Sequence, residues 1–170
     1  FRSGALGSAL AVVWLLSTGA VAAGQQRQLA SDEPCPRCRW TAPVTKATTR
    51  VRSTTQLYSA VSSARQGTTI LLEPGEYRLD HTLDLSTPGI VVRGVANDPT
   101  KVTLRGAGMD ERAVGVAVSV NAPDVTIADL TIGMVGYHGI QVRGEAGASR
   151  VTIHDVRIVN TGQQIGRAHV

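Results

Sequence analysis

After residue 67 the chain is dominated by short stretches in which apolar and polar residues alternate. Two of these stretches are near copies of each other. Residues 125–132 are Val-Thr-Ile-Ala-Asp-Leu-Thr-Ile, and residues 151–158 are Val-Thr-Ile-His-Asp-Val-Arg-Ile. Such alternation predicts a β-strand with one buried face. It slips by one position at Asp129 and Asp155, which turns the side chains to the opposite face unless the chain bends there. Each octet is therefore predicted to be a strand, a corner at the aspartate, and a second strand.

The same pattern extends upstream and defines a repeat. Apolar pairs at positions 83/85, 118/120 and 140/142 each precede the next alternating stretch across a turn. The repeats span about 82–105, 116–132 and 139–158, offset by 35 and then by 24 to 26 residues, with the excess expected in a loop at 95–108. Short strands at this period, without helices between them, predict an all-β parallel solenoid in which each strand pairs with its equivalent one coil away. A β-sandwich also uses short strands, but it does not repeat a strand–corner–strand unit in register.

Three segments precede the repeats. Residues 1–23 hold an apolar run ending in small residues, which predicts a secretory signal peptide, with a transmembrane anchor as the alternative. Residues 24–53 are polar and are expected to form a linker or N-terminal arm. Residues 54–67 carry apolar side chains at helical spacing and predict a short helix that caps the solenoid. Thr68–Leu72 is then expected to be the first buried strand, and Glu73–Tyr77 a turn.

The C-terminal hexapeptide, residues 165–170, breaks the apolar pattern. Its sequence, Ile-Gly-Arg-Ala-His-Val, matches the translation of a common short-read sequencing adapter. We therefore expect residues 68–164 to hold the first coils of a truncated solenoid, and we give Arg167 and His169 no functional weight.

The charge distribution and the two cysteines bear on the partner and on the cellular compartment. The formal net charge is +4, but residues 1–53 alone hold seven Lys or Arg against two acidic residues. The basic character therefore precedes the repeats, in segments without a groove-reading motif, and no nucleic-acid partner is predicted. Cys35 and Cys38 fit a local disulfide in an oxidising compartment, with a zinc half-site as the alternative. A cleaved signal peptide predicts an exported protein, periplasmic or secreted, without a stable membrane anchor.

The segment TTQLYSAVSSARQGTTILLEPGEYRL, residues 54–79, resembles the opening of right-handed parallel β-helix proteins of the pectate-lyase-like superfamily. In those proteins a capping helix is followed by a strand and a Pro-Gly-x-Tyr type turn, here Pro74 to Tyr77. The resemblance spans about 54–163 and implies an N-terminal part of a right-handed parallel β-helix. It also implies activity on carbohydrate, as a polysaccharide lyase or a glycoside hydrolase. Ca²⁺ enters only through this resemblance to the lyases, since no cofactor site is evident in the sequence.

Candidate substrate-binding residues lie at strand ends. Arg93, Arg105 and Arg143 each precede a glycine. Alternation places all three outside, where stacked guanidinium groups would bind the carboxylates of an acidic polysaccharide. The alternative is that they are solvated charges beside turn glycines. Tyr137 and His138 form a second candidate, a sugar-stacking ring next to an acid–base group, and the alternative is a turn pair with partly buried rings.

No catalytic residue or metal ligand is assigned from the sequence. A lyase needs a cation that neutralises a uronate and a base that removes its α-proton, whereas a glycosidase needs two carboxylates. Asp129 and Asp155 are predicted to stack, but their corner positions explain them better than a metal site does. The leading hypothesis is an acidic-polysaccharide lyase-type enzyme whose active site lies mainly in further coils. The alternatives are a non-catalytic glycan- or surface-binding β-helix and a structural, adhesin-type solenoid.

Overall fold

The computed structural model describes residues 40–109 and 114–162. The predicted signal peptide, the cysteine pair and the adapter-like hexapeptide lie outside the described residues. The described elements, in chain order, are β1 (Ala47–Val51), α1 (Thr54–Ser63), β2 (Thr68–Leu72), β3 (Gly75–Arg78), β4 (Leu83–Leu85), β5 (Val91–Gly94), β6 (Val102–Arg105), β7 (Val116–Val120), β8 (Thr126–Val135), β9 (His138–Val142), a 3-10 turn (Gly144–Ala146) and β10 (Thr152–Thr161).

Among the described residues every strand pairing is parallel, and the pairings form three stacks. The first stack is β1, β2, β5 and the first halves of β8 and β10. The second stack is β3, β6 and the second halves of β8 and β10. The third stack is β4, β7 and β9. The described chain is therefore mostly β, with parallel strands and one α-helix, and it visits the three stacks in turn.

The register agrees with the repeat in one place and corrects it in two. Leu83 lies opposite Val118 and Leu85 opposite Val120, which confirms the predicted offset of 35 residues. Between the last two repeats the offset is 26 residues in the β8–β10 pair but 22 in the β7–β9 pair, below the predicted 24. The single loop predicted at 95–108 is wrong, because β6 lies within it and pairs with β3 and β8.

The corners predicted at the two aspartates are confirmed. Asp129 and Asp155 adopt the left-handed backbone conformation, with φ of 57° and 49°. Residues 126–128 pair with β5 in the first stack, and residues 131–133 pair with β6 in the second. Aspartate tolerates this conformation because its short polar side chain can bond to the local backbone. Two further pairs of positions repeat the same conformation one coil apart, Asp124 with Arg150 and Met134 with Asn160.

The interior consists of columns of aliphatic side chains, one from each coil. Ile70, Val92 and Ile127 lie in register in the first stack, and each is at most 1% exposed. The α-helix covers one end of this core with Leu57, which is fully buried. At the other end Ile153 continues the column in β10 but is 49% exposed. The last described member of this column is therefore far more exposed than the members that precede it.

Two segments differ from the sequence prediction. Ala47–Val51, inside the predicted arm, forms β1 parallel to β2, and the strand pattern is hidden because only Val51 is buried. Gly75–Arg78, which overlaps the predicted turn at 73–77, forms β3 parallel to β6, with only Tyr77 buried. The helix ends at Ser63, short of the predicted 67. Within the described ranges no helix has the length and apolar character needed to span a membrane.

Candidate functional site

The three arginines predicted from strand ends lie on three different stacks. Arg93 belongs to β5, Arg105 ends β6, and Arg143 follows β9. Each contacts an acidic side chain, in the pairs Arg93–Asp129 at 3.3 Å, Arg105–Glu76 at 3.3 Å and Arg143–Glu145 at 2.8 Å. The structure therefore does not bring these three guanidinium groups together into one row.

A different arginine is stacked with one of them. Arg78 lies directly opposite Arg105 in the register of β3 and β6. Both side chains point outward, because the preceding pair in the register, Tyr77 and Leu104, is buried in the core. Glu76 is the neighbouring carboxylate, with oxygens 3.3 and 3.5 Å from Arg105 Nη1. Like charges at opposed positions destabilise a sheet. A ligand carboxylate bound between Arg78 and Arg105, which we call the arginine pair, would offset that repulsion, and arginine is suited to bind it.

Beyond β3 the chain places Asp80 and His81 beside Tyr58 of α1. The rings of Tyr58 and His81 are stacked, with centroids 3.9 Å and planes 13° apart. The Tyr58 hydroxyl donates to the His81 carbonyl oxygen at 2.6 Å and accepts from the His81 amide at 3.3 Å. His81 Nδ1 lies 2.6 Å from Asp80 Oδ1, and the two side chains are 65% and 79% exposed. We call these three residues the histidine cluster.

The electrostatics of the histidine cluster fix the role of each group. Burial raises the pKa of the Tyr58 hydroxyl, so this group is a proton-bearing donor at neutral pH. Desolvation acts to raise the pKa of Asp80, but hydrogen bonds to Tyr58, its own backbone and His81 outweigh it and hold that pKa below its ordinary value. Asp80 is therefore an ionised acceptor facing Nδ1 of His81. Nδ1 is therefore the ring nitrogen of His81 that donates to this carboxylate.

Tyr137 and His138 lie where β9 begins, in the third stack. Tyr137 is 39% exposed, and its ring packs against Gly115, where an added Cβ would lie 2.8 Å from the ring. The amides of both residues donate to the Gly115 carbonyl oxygen, at 2.8 and 3.0 Å. His138 is partly buried. The pair therefore lies at a bend before β9, with Tyr137 exposed and His138 partly buried.

The outer face of the third stack carries a hydrogen-bonded polar group. Ser119 lies opposite Asp84 and Gln141 in the register of the stack. Asn121 Nδ2 donates to Asp84 Oδ1 at 3.2 Å, and Ser119 Oγ lies 3.1 Å from Asn121 Oδ1. This surface suits hydroxyl groups better than carboxylates, because its charged member is itself an acid.

The outer face of the first stack is covered by residues 40–45. Thr45 Oγ1 lies 2.6 Å from Thr69 Oγ1 on β2, and the Trp40 ring stacks on His154 of β10 with centroids 4.4 Å apart. The segment therefore crosses the strands of this stack. Val91, opposite Thr69 in the register, faces outward but is only 1% exposed. This face is closed to a large ligand.

At the corner between the first two stacks, Arg93 bonds to side chains of the protein itself. Its Nη1 lies 2.9 Å from Asn97 Oδ1 and 3.3 Å from Asp129 Oδ2. Asp129 is only 3% exposed. Burial raises the pKa of its carboxyl, and the attraction of Arg93 offsets this only in part. Arg93 therefore pairs with a buried carboxyl group and is not free to bind a ligand at the surface.

Residues 40–109 and 114–162 contain no group of three or more His, Cys, Asp or Glu side chains that could hold a metal ion. Ca²⁺ therefore stays a prediction that rests on the family resemblance alone.

No protein-family model matches the sequence, and no curated protein matches it. Among solved structures the chain is similar to the PL6 family alginate lyase AlyGC, with a TM-score of 0.43 and 12% sequence identity. The match covers 72% of this chain and 19% of the lyase chain. A likeness of this size assigns no activity.

Proposed function

We propose that the chain belongs to an exported right-handed parallel β-helix protein that binds an acidic polysaccharide and acts on it as a lyase-type enzyme. The observation that carries this proposal is the arginine pair. Arg78 and Arg105 occupy opposed outward positions of the second stack, and Glu76 contacts Arg105 at 3.3 Å.

The fold supports the proposal because the chain visits three parallel stacks in turn and α1 covers one end of their shared core. In such a solenoid the outer faces are long and open, which suits a polymer rather than a small molecule. Among these outer faces, that of the second stack carries the arginine pair. The first stack is covered by residues 40–45, and the third presents Asp84.

Spacing supports the same assignment. Neighbouring strands lie about 4.8 Å apart, so two guanidinium groups in register present several N–H donors within the width of about one sugar ring. Arginine binds a carboxylate through two parallel hydrogen bonds, and such charge-assisted bonds are stronger than neutral ones. The arginine pair is therefore placed to neutralise a uronate, which is the electrostatic requirement of β-elimination.

The test is binding of the full chain to a polyuronate and to a neutral glucan, measured by calorimetry at low and high salt. We expect salt-sensitive binding to the polyuronate alone, because the contact is ionic. Arg78→Gln and Arg105→Gln should each weaken binding about tenfold or more, as the loss of a charge-assisted hydrogen bond does. Arg65→Gln is the control, since Arg65 is an exposed arginine between α1 and β2.

Equal affinity for the two polymers, or arginine-pair variants that bind as the wild type does, would overturn the proposal. A non-catalytic glycan-binding β-helix would need the same arginine pair. Turnover of the bound polymer separates that alternative from an enzyme.

A further inference from the structure

We propose that the cavity between β1 and the end of α1 is a binding site for the phosphate or sulfate ester of a sugar. We call it the cap cavity. Its volume is about 350 Å³, and small-molecule sites in proteins occupy about 300–1,000 Å³. The site is independent of the proposed function, because neither arginine of the arginine pair lines it.

The first support is a change of side-chain type along an interior column. Ile70 of β2 faces inward and is fully buried, and Thr49 of β1 lies opposite it in the register. The aliphatic column of the first stack therefore ends in a hydroxyl group, and this threonine lines the cap cavity. At an inward position beside an aliphatic core, a polar side chain is better explained by a polar occupant than by packing.

The second support is the charge of the cap cavity. Its charged lining residues are Lys46, which precedes β1, and Arg65, which follows α1. Within residues 40–109 and 114–162 neither of them forms an ion pair with an acidic side chain. Two cations without an acidic partner on opposite walls of one cavity favour an anionic ligand.

The position of Lys46 is fixed although its charge is free. Its amide donates to the Gly67 carbonyl oxygen at 2.8 Å. Its Cγ lies 3.6 Å from the position of a Cβ added to Gly67, so the aliphatic part of the side chain packs against this glycine. The ammonium group beyond that contact is available to a ligand.

The end of α1 does not cancel this attraction for anions. Ser63, the last residue of α1, lines the cap cavity. A helix C-terminus carries the equivalent of about half a negative charge, whereas Lys46 and Arg65 bring two full positive charges. The balance in the cavity is therefore positive.

The third support is a set of hydroxyl groups with free hydrogen-bonding capacity. Thr68 lines the cavity and is only 7% exposed. Its Oγ1 accepts from the Arg65 amide at 3.3 Å, and within the described ranges neither its proton nor that of Thr49 has an acceptor. Ser63 Oγ instead donates to the Ser59 carbonyl oxygen at 2.7 Å, which leaves the oxygen of Ser63 to accept.

These groups decide the class of ligand. Lys46 and Thr49 offer donors from the β1 side of the cavity, and Arg65 and Thr68 offer donors from the other side. Donors from two sides suit a tetrahedral oxyanion, whose oxygens point in different directions, better than a planar carboxylate. The accepting oxygen of Ser63 and the remaining volume suit the hydroxyl groups of an attached sugar.

The test is calorimetric titration of the full chain with glucose phosphate, glucose sulfate, glucuronate, glucose and inorganic phosphate. We expect at least one of the two esters to bind about tenfold or more tighter than glucuronate, glucose and inorganic phosphate, because each of these lacks one group of charge-assisted or hydroxyl contacts. The comparison of the two esters distinguishes phosphate from sulfate as the preferred group.

Variants locate the binding. Lys46→Gln and Arg65→Gln should each weaken ester binding about tenfold, and Thr49→Val, which keeps the shape but removes the hydroxyl, about fivefold. Lys101→Gln and Arg52→Gln are the matched controls, since both residues are exposed cations that do not line the cavity. Arg65→Gln should still bind a polyuronate as the wild type does, because a polyuronate carries no such ester.

A further variant separates the cavity from its charge. Ala47 lines the cap cavity and is exposed, so Ala47→Phe fills the space and leaves both cations in place. Ester binding should be lost in this variant, whereas a merely electrostatic attraction to the surface would survive. Thermal melting of every variant checks that the fold is retained.

Each contrary result overturns a stated element of the proposal. No ester binding, or ester binding that Lys46→Gln and Ala47→Phe leave unchanged, overturns the site. Inorganic phosphate that binds as tightly as the esters overturns the sugar, and glucuronate that does so overturns the tetrahedral group. If Lys46 and Arg65 only stabilise the helix C-terminus, their variants will melt at lower temperature and the wild type will bind no ester.

Discussion

Replacing Arg78 by glutamine removes one of two facing guanidinium groups while keeping a long polar side chain. Strands in a sheet lie about 4.8 Å apart, so parallel side chains from Arg78 and Arg105 bring their charges to within about 5 Å of each other. Two like charges at that distance repel by about 0.8 kcal/mol in water. We expect Arg78→Gln to raise the free energy of unfolding at low salt by up to about this amount, although the same change weakens ligand binding.

A double-mutant cycle separates the repulsion between Arg78 and Arg105 from the effect of Glu76 on the free energy of unfolding. Glu76 contacts Arg105 at 3.3 Å, and it lies two positions before Arg78 on the same face of β3. Its interaction with each arginine appears in the corresponding single variant, so it cancels in the coupling energy between the two arginines. The measurement is urea denaturation of the wild type, Arg78→Gln, Arg105→Gln and the double variant.

Salt provides the internal check on this cycle. The repulsive coupling should be about 0.8 kcal/mol at about 10 mM salt and should fall below about 0.2 kcal/mol at about 1 M, where the Debye length is about 3 Å. Arg65→Gln, paired with Arg105→Gln in a second cycle, should show no coupling. A zero or attractive coupling between Arg78 and Arg105 at low salt would refute the reasoning, because the two side chains would then diverge from their shared register.

Two further predictions concern the core and the first corner. Ile127→Ala should lower the free energy of unfolding in urea by about 2–5 kcal/mol, and Ile153→Ala by much less, because Ile127 is 1% exposed and Ile153 is 49% exposed in the same column. Equal losses would contradict the stacking order. Asp129→Asn should be at least as stable as the wild type at neutral pH. Burial raises the pKa of Asp129, so its stabilising contribution is present below the ordinary aspartate pKa and is lost as pH rises through the raised value. Melting temperatures at falling pH should show the advantage shrinking, and a variant that melts below the wild type at neutral pH would contradict this sign.

The octets predict β8 and β10 well because the signal for a corner is local. One slip in alternation, at a residue that tolerates positive φ, marks the bend within eight residues of sequence. The 35-residue offset is also predictable, since aliphatic pairs of equal spacing have to stack to be buried. The strand β1 is not predictable in the same way. Four of its five residues are exposed, so its partner β2 and not its own pattern determines that it forms.

The arginine pair is not predictable from the sequence because the strand β3 is not. Pro74-Gly75 is typical of a turn, and this composition hides the fact that Gly75–Arg78 pairs in parallel with β6. If β3 is not predicted, its register with β6 is not predicted either, and nothing in the sequence then pairs Arg78 with Arg105. The three arginines that precede glycines were then the visible set, although Arg93 is occupied by a buried carboxyl group. Stacked parallel strands bring outward residues together by register rather than by motif, so the proposed ligand contacts depend on which strands pair. The functional hypothesis therefore changes from a motif, Arg-Gly, to a position, the outward pair at the ends of β3 and β6.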